Sequence, residues 1–300
     1  MSTSSDRAPT AQNNEPLWVD SHCHLDMLKL LSGEALEFDG DQDPITEPFL
    51  KALSDELQLA YAAGVGHFLC VSVDVSRYER MRRAASVSPR VAHSAGIHPS
   101  TLESRPEAQW IDVLRQWLAD EAVVAVGETG LDYHYDTVSV AEQQSRFAAH
   151  IAFSQEFDKP LIIHTREARA DTIALLKSEG RGDARGVMHC FTETWDMAKQ
   201  ALDLGFYISF SGIVTFNSAH DLRDVVKKVP MDRILVETDS PYLAPVPHRG
   251  KANTPRFVAV VGEKVAELKG LPVETVARQT TDNYFSLFRG ARRIGMADWV

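Results

Sequence analysis

Five short apolar segments of this 300-residue chain each run into a histidine or a carboxylate. Each segment is rich in branched residues and is followed by a polar or helical stretch, which is typical of a buried parallel strand. The six ligand-type residues at these ends are His22, His24, Glu128, His164, His189 and Asp239. In a (β/α)8 barrel the carboxyl ends of all strands open onto one face. The pattern therefore predicts a barrel with these side chains gathered at its mouth.

His22 and His24 flank Cys23 in the first of these segments. Because successive side chains of a strand point to opposite faces, the two imidazoles share one face and could hold one divalent ion. Such a pair is also found in ordinary strands, so the metal interpretation depends on the other strand ends. Repeated placement of ligand-type residues at strand ends is hard to obtain from packing alone.

The rest of the chain continues the alternation of strands and helices. Further strands are predicted over 67–73, 91–95 and 206–210, and helices over 106–119, 140–156 and 168–178. Pro106 suits the first position of its helix. The pattern favours an α/β fold, a (β/α)8 TIM barrel in a single domain. A doubly wound open sheet is the alternative, but no glycine-rich phosphate loop follows the first strand.

The barrel domain is expected to occupy most of the chain, with short segments outside it at both ends. Residues 17–290 are predicted to form the barrel, 1–16 a disordered leader poor in large apolar side chains, and 291–300 a C-terminal tail. The acidic stretch within 29–47 is interpreted as a solvated insertion. No apolar run is long enough for a signal peptide or a membrane span. With only three cysteines a disulfide framework is not expected, which favours a cytoplasmic location.

Six segments of the chain resemble the TatD family of metal-dependent nucleases, within the amidohydrolase-like metallohydrolases. In chain order they read DSHCHLD from Asp20, GIHP from Gly96, GETGLDY from Gly127, HTREA from His164, HCF from His189 and ETDSPYL from Glu237. The resemblance implies a TIM barrel that hydrolyses phosphodiester bonds in DNA with up to two divalent ions. Many relatives in the wider superfamily bridge their ions with a carbamylated lysine. Here the fourth strand ends in Glu128 with no lysine nearby, which favours the TatD branch.

Ligand chemistry and this resemblance together assign the metal ligands. His22, His24 and Asp239 are expected to hold one ion and His164 and His189 the other. Glu128 is expected to bridge both ions with its two oxygens. The set of imidazoles and carboxylates suits Zn²⁺, Mn²⁺ or Mg²⁺.

The predicted catalytic residues are Asp239, Glu128 and His98. Asp239 could orient the attacking water and take its proton. His98, after the third strand, could contact a phosphate or stabilise the leaving group, and its alternative role is to anchor a loop. Arg166 could likewise reach a phosphate or pair with a nearby carboxylate. The other histidines, such as His150, have no strong claim to a ligand position.

Arg249 and Lys251 are predicted to bind substrate because they form the one sizeable basic element near the expected mouth. They precede Thr254, which suits an N-cap, and Pro255, which suits the first helical position. A helix amino terminus offers free N–H groups to a phosphate. The alternative is a surface loop that caps the helix, and the spacing alone does not choose between the two.

The charge balance restricts how nucleic acid could bind. The chain has 31 basic and 42 acidic residues, a formal net charge of −11. A protein that holds long duplex DNA normally presents a basic face. Bound divalent ions would reverse the local sign at the carboxylate ligands. We therefore expect DNA to be trimmed at short or single-stranded 3′ ends, the 3′-to-5′ polarity being implied by the resemblance alone. No membrane and no obligate protein partner are expected.

Two other functions fit parts of the sequence. A polarised water could also attack a carbonyl, so an ester or amide hydrolase is the nearest alternative. This class includes the D-aminoacyl-tRNA deacylase activity associated with some TatD-like proteins. A non-enzymatic scaffold is disfavoured because no ligand position is lost.

Overall fold

Eight parallel strands lie in chain order, β1 to β8, in the computed structural model, which describes residues 18–31 and 45–294. The strands are β1 Trp18–Cys23, β2 Val65–Cys70, β3 Val91–Ala95, β4 Val123–Asp132, β5 Leu161–Arg166, β6 Gly186–Met188, β7 Tyr207–Phe210 and β8 Ile234–Val236. The sheet closes where the segment after β8 meets β1. His24 N donates to Ser240 O over 2.8 Å, and Asp239 N donates to His22 O over 2.9 Å. The predicted TIM barrel is confirmed.

Helices alternate with the strands and cover the outside of the barrel. Within the described ranges they are α1 Glu47–Ala62, α2 Tyr78–Ala85, α3 Glu107–Leu118, α4 Val140–Glu156, α5 Arg169–Ser178, α6 Trp195–Asp203, α7 His220–Lys228, α8 Val258–Lys269 and α9 Val273–Leu287. The predicted 140–156 helix coincides with α4, where the Ser139 hydroxyl accepts from Glu142 N. Pro106 lies one position earlier than predicted, because its ψ of 147° is extended rather than helical.

The barrel interior is filled by branched side chains from the inner faces of the strands. Val19, Leu69, Ile162 and Leu235 belong to this cluster. At the amino ends of the strands α9 covers the interior with a further set of side chains, namely Tyr284, Leu287 and the following Phe288. With this end closed by packing, the opposite end is the open one.

Strand β4 continues four residues beyond Glu128, where the sequence pattern predicted its end. Gly130 makes this possible, because it has a φ of +132° and a Cβ there would lie 2.0 Å from His164 O of β5. Glu128 lies where the pairing of β4 with β5 is interrupted, between Val126 and Thr129, and its N–H donates to Ser72 O over 2.7 Å. Asp132, at the end of the strand, is hydrogen-bonded to His164.

Several expectations fall on parts of the chain outside the described residues. These are the leader over 1–16, residues 32–44 of the acidic stretch over 29–47, and residues 295–300 of the tail. Among the described residues, none of the helices has the length and apolarity needed to cross a membrane. The three cysteines, Cys23, Cys70 and Cys190, are not disulfide-bonded.

Candidate metal centre at the barrel mouth

Glu128 lies at the centre of the converging side chains, and one of its oxygens faces the histidines of β1. Its Oε2 is 3.5 Å from His22 Nε2 and 3.9 Å from His24 Nε2. Asp239 completes this side, with Oδ1 3.7 Å from His22 Nε2 and 3.4 Å from His24 Nε2. The two imidazole nitrogens are only 3.3 Å apart. Two nitrogens and two carboxylates thus enclose one small volume.

The other oxygen of Glu128 faces a second group of histidines. Glu128 Oε1 is 2.8 Å from His189 Nε2, 3.3 Å from His164 Nδ1 and 3.5 Å from His98 Nε2. The rings of His22 and His189 stack at 3.9 Å between centroids, which brings the two groups into contact. Glu128, which ligand chemistry and the family resemblance together assign as the bridge between two ions, therefore has one oxygen directed to each group.

Hydrogen bonds on the far side of each ring decide which nitrogen faces Glu128 without a proton. His24 Nδ1 donates to Val71 O over 3.0 Å, so in the neutral ring Nε2 carries the lone pair. In the same way His189 Nδ1 donates to Glu237 Oε1 over 3.3 Å, so in the neutral ring Nε2 carries the lone pair. Metal-ligating histidines commonly have this second partner, which fixes the tautomer.

His164 has the opposite tautomer. Its Nε2 donates to Asp132 Oδ2 over 2.9 Å, so Nδ1 presents the lone pair to Glu128. Three histidines in all therefore turn a lone pair toward the shared carboxylate, although their rings use different nitrogens. This arrangement is chemically suited to ligate a cation.

His98 differs from these histidines although it lies in the same cluster. Its Nδ1 accepts a hydrogen bond from Ser100 N over 3.1 Å, so the neutral ring carries its proton on Nε2. That Nε2–H lies 3.5 Å from Glu128 Oε1, so the neutral ring offers no lone pair to an ion there. Burial lowers the pKa of His98 to about 4, which keeps the ring neutral at physiological pH.

Electrostatics show that this centre favours positive charge. Burial alone would lower the pKa of His24, but its hydrogen bond to Asp239 and the charges of Asp239 and Glu128 raise it to about 9. Burial would raise the pKa of Glu128, yet His189 and His98 hold it well below its ordinary value. Lone pairs that face one another at these distances repel unless a proton or a cation lies between them. The donor set therefore fits a divalent ion.

Two backbone positions beside the centre are in the left-handed region, which non-glycine residues rarely occupy. Cys190, directly after His189, has φ 41°, and Asp239 has φ 55°. Asp20, fully buried in β1, accepts from Thr238 N over 2.8 Å and so holds the segment that carries Asp239. Such strain persists at functional sites when the surrounding structure over-determines it.

A cavity of about 800 Å³ opens over the centre, and the residues that line it include His98, Arg166 and Arg77. Arg249 and Lys251 do not line it. Both side chains are exposed, and the Arg249 guanidinium carbon is 3.8 Å from the centroid of the Phe216 ring. The structure thus brings Arg166 to the cavity and leaves the basic loop on the rim outside it.

The helix start predicted after this loop also differs in detail. Pro255 begins a 3₁₀ turn, Pro255–Phe257, that leads into α8. The Thr254 hydroxyl makes no cap bond to the backbone and instead accepts from Arg256 Nε over 3.2 Å. The residues of this turn, Thr254 to Phe257, do not line the cavity.

Sequence reasoning missed three residues near this centre. Asp132 and Glu237 lie inside the segments that carry the TatD resemblance, but spacing alone does not show that they back His164 and His189. Arg77 stands at the start of α2 in a stretch with no recognised motif, so the sequence offered no signal for it.

A family model described as TatD related DNase matches residues 19–289 of this chain. The match spans every strand of the barrel except the first residue of β1.

Proteins of similar length resemble this chain over most of its sequence. The uncharacterized metal-dependent hydrolase YcfH of Escherichia coli K12 is 48% identical over 270 residues, covering 90% of this chain and 95% of that protein. The uncharacterized metal-dependent hydrolase YabD of Bacillus subtilis is 37% identical over 272 residues, covering 90% and 98%. Among solved structures, the crystal structure of YJJV, a TatD homolog from Escherichia coli K12, superposes with a TM-score of 0.79 at 27% identity, covering 91% of this chain and 98% of that one.

Proposed function

This chain belongs to the family of TatD-related DNases, metal-dependent hydrolases, and we propose that it hydrolyses phosphodiester bonds in DNA with two divalent ions bound at the barrel mouth. The observation that carries this proposal is the position of Glu128. Its two oxygens face two separate groups of histidine lone pairs, 2.8–3.9 Å away. One carboxylate between two such groups is the arrangement that a pair of ions requires.

The ligands of the two ions follow from that geometry. His22 and His24 with Asp239 would hold one ion, and His164 and His189 the other, with Glu128 shared. Zn²⁺, Mn²⁺ and Mg²⁺ all suit the donor set. Such ions, when bound, polarise the phosphoryl oxygens and make a neighbouring water more acidic.

The side chains of the protein supply the rest of the reaction. Hydrolysis adds water across the P–O bond, so that one product ends in a phosphate and the other in a hydroxyl. The hydrogen bond from His24 and the charge of His22 outweigh burial and lower the pKa of Asp239, which is therefore ionised and able to accept the proton of the attacking water. The Nε2–H of His98 can donate to a phosphoryl oxygen or to the leaving oxygen.

We propose substrate contacts both for the arginine that lines the cavity and for the two basic residues of the loop after β8. Arg166 lines the cavity and could hold a phosphate beside the scissile one. Arg249 and Lys251 could contact only parts of a strand that extend outside the cavity. With a formal net charge of −11, the protein is better suited to short or single-stranded 3′ ends than to long duplex. A cytoplasmic location is proposed on the absence of disulfide bonds among its three cysteines.

The proposal is tested with purified protein, Mn²⁺ or Mg²⁺, and 3′-labelled and 5′-labelled single-stranded DNA. We expect mononucleotides to be released from the 3′ end. A D-aminoacyl-tRNA is assayed in parallel, since the same centre could attack an ester. Deacylation without DNA cleavage would overturn the nuclease assignment while leaving a metal-dependent hydrolase.

A further inference from the structure

Two half-exposed tyrosines stand on opposite sides of the cavity. Tyr135, in the loop after β4, is 50% exposed, and Tyr242, in the loop after β8, is 54% exposed. Because the strands follow one another in chain order around the barrel, β4 and β8 lie across from each other. Both rings line the cavity that opens over Glu128. The metal centre is therefore flanked by one exposed aromatic ring on each side.

An arginine accompanies Tyr242 on its side. The Arg77 guanidinium is 3.4 Å from Asp26 Oδ2, and Asp26 is buried. The next residue, Met27, accepts at its sulfur from the Tyr242 hydroxyl over 3.8 Å. The Tyr242 ring lies 6.2 Å from the ring of His24. The short turn that follows β1 thus holds an arginine and a tyrosine together beside the first group of histidines.

The other side has the same combination. The Arg166 guanidinium carbon lies 5.2 Å from the centroid of the Tyr135 ring. Arg166 ends β5, two residues after His164, so this pair stands beside the second group of histidines. Neither pair shares an element with the other, yet each places one cation and one aromatic ring in the lining of the same cavity.

This combination has the chemistry of a nucleotide subsite. Guanidinium groups bind phosphate oxygens, and exposed aromatic rings stack on nucleobases without regard to sequence. Large apolar side chains that stay exposed around a cavity commonly mark a binding surface. We propose that the Arg77–Tyr242 and Arg166–Tyr135 pairs each bind one nucleotide, on opposite sides of the bond that is cleaved.

The inference rests on the proposed function and makes it more specific. A strand would cross the mouth from one pair to the other, with the scissile phosphate above Glu128. The nucleotide that leaves and the nucleotide that remains would each be bound by stacking of the base on a tyrosine ring. A phosphodiester with a base on one side only should therefore bind less tightly than one with bases on both sides.

The test uses dinucleotides with a non-hydrolysable methylene phosphonate linkage, in the presence of Mn²⁺. One has both bases, and two others lack the base on the 5′ or the 3′ side. Removing either base should weaken binding to the wild type about tenfold, as expected for base–aromatic stacking. Tyr242→Ala should bind the intact dinucleotide about tenfold more weakly. Removing one of the two bases should then cause no further loss of affinity in this variant, whereas removing the other base still should. In Tyr135→Ala the affinity should no longer depend on that other base.

Matched variants separate stacking from general damage to the mouth. Tyr242→Phe and Tyr135→Phe keep the ring and should bind like the wild type. Leu102→Ala removes a side chain that is 73% exposed in the loop after β3 but does not line the cavity, and should change nothing. If either base can be removed with less than a twofold loss, or if both alanine variants respond to the same base, the two subsites do not exist.

Arg77, of the Arg77–Tyr242 pair, is tested by measuring how the affinity for a trinucleotide depends on salt concentration. Arg77→Ala should reduce the slope of log affinity against log salt by about 0.7, the value for one phosphate contact on a single strand. Arg80→Ala is the control, because Arg80 contacts the carbonyl of Asp26 but does not line the cavity. An unchanged slope in Arg77→Ala would remove Arg77 from the subsite.

Cleavage of the ordinary dinucleotide is measured alongside. Absence of metal-dependent cleavage together with the expected binding pattern would overturn the proposed function and leave the two subsites standing. Metal-dependent cleavage without the expected binding pattern would support the proposed function and overturn the two subsites.

Discussion

Asp132 Oδ2 accepts a hydrogen bond from His164 Nε2 over 2.9 Å, and this contact turns His164 Nδ1 toward Glu128. Glu237 has the equivalent relation to His189 on the neighbouring strand. The histidines of β1 are supported differently. His24 is backed by the carbonyl of Val71, and the buried His22 Nδ1 has no hydrogen-bond partner among the described residues.

The first prediction concerns this backing carboxylate. Asp132→Asn should lower the affinity for Mn²⁺ by about 10- to 100-fold, because a supporting carboxylate orients the ligand and raises its basicity. Calorimetric titration of metal-free protein measures the change. Asp171→Asn is the control, since Asp171 accepts from Tyr133 and Gln144 but contacts no histidine. Equal affinities in all three proteins would show that Asp132 does not support a ligand.

A second prediction separates His98 from the histidines proposed as metal ligands. His98→Ala should keep the full metal content of the wild type, because its Nε2 carries a proton and cannot ligate in that tautomer. His164→Ala should lose about one equivalent of metal after dialysis. Elemental analysis measures the metal content of both variants. Loss of metal from His98→Ala would assign His98 to the ligands instead.

A third prediction compares the two sets of basic residues. Arg166→Ala should raise KM for a short oligonucleotide about tenfold or more, since a hydrogen bond to a charged group is worth about 1.5–3 kcal/mol. The double variant Arg249→Ala, Lys251→Ala should change KM only for strands long enough to leave the cavity. Steady-state kinetics on oligonucleotides of about 3 to about 20 residues provide the comparison, because this range brackets the roughly 4–16 nucleotides that a single-strand binding site covers. A large effect of the double variant on the shortest substrate would place the basic loop at the scissile end.

The sequence predicted the barrel and the converging ligand residues because both follow from strand periodicity. Apolar runs that end in His164 or Asp239 place those side chains at the mouth whatever the loops do. The length of β4 was not predicted. A glycine such as Gly130 commonly indicates a turn, but here it permits close approach of β5. Contacts between distant segments, such as Arg77 with Asp26, carry no periodic signal and required the structure.

A fourth prediction concerns stability against pH and uses a histidine outside the mouth. Burial lowers the pKa of His150 to about 4, and its Nε2 accepts from Ile97 N. The unfolded chain therefore binds a proton between about pH 6.5 and 4 that the folded protein does not, so stability is lost as pH falls through this window.

His150→Gln removes that proton while its amide oxygen can still accept from Ile97. Its free energy of unfolding, measured by urea titration from pH 7 to 5, should fall less steeply with pH, by up to about 1 kcal/mol per pH unit. His220→Gln, an exposed change on α7, serves as the control and should follow the wild type. Identical pH slopes for His150→Gln and the wild type would mean that His150 does not oppose protonation in the folded protein.

Release of nucleotides from 3′-labelled single-stranded DNA, measured for the wild type and for Glu128→Ala before and after metal removal, tests the central claim most directly. We expect the wild type to lose activity with chelator and to regain it with Mn²⁺ or Mg²⁺. Glu128→Ala should stay folded by circular dichroism and be slower by on the order of 10³-fold under all conditions, because it lacks the carboxylate shared by both groups of histidines. Near-normal release by Glu128→Ala, or full activity of wild-type protein verified to be free of metal, would contradict the assignment.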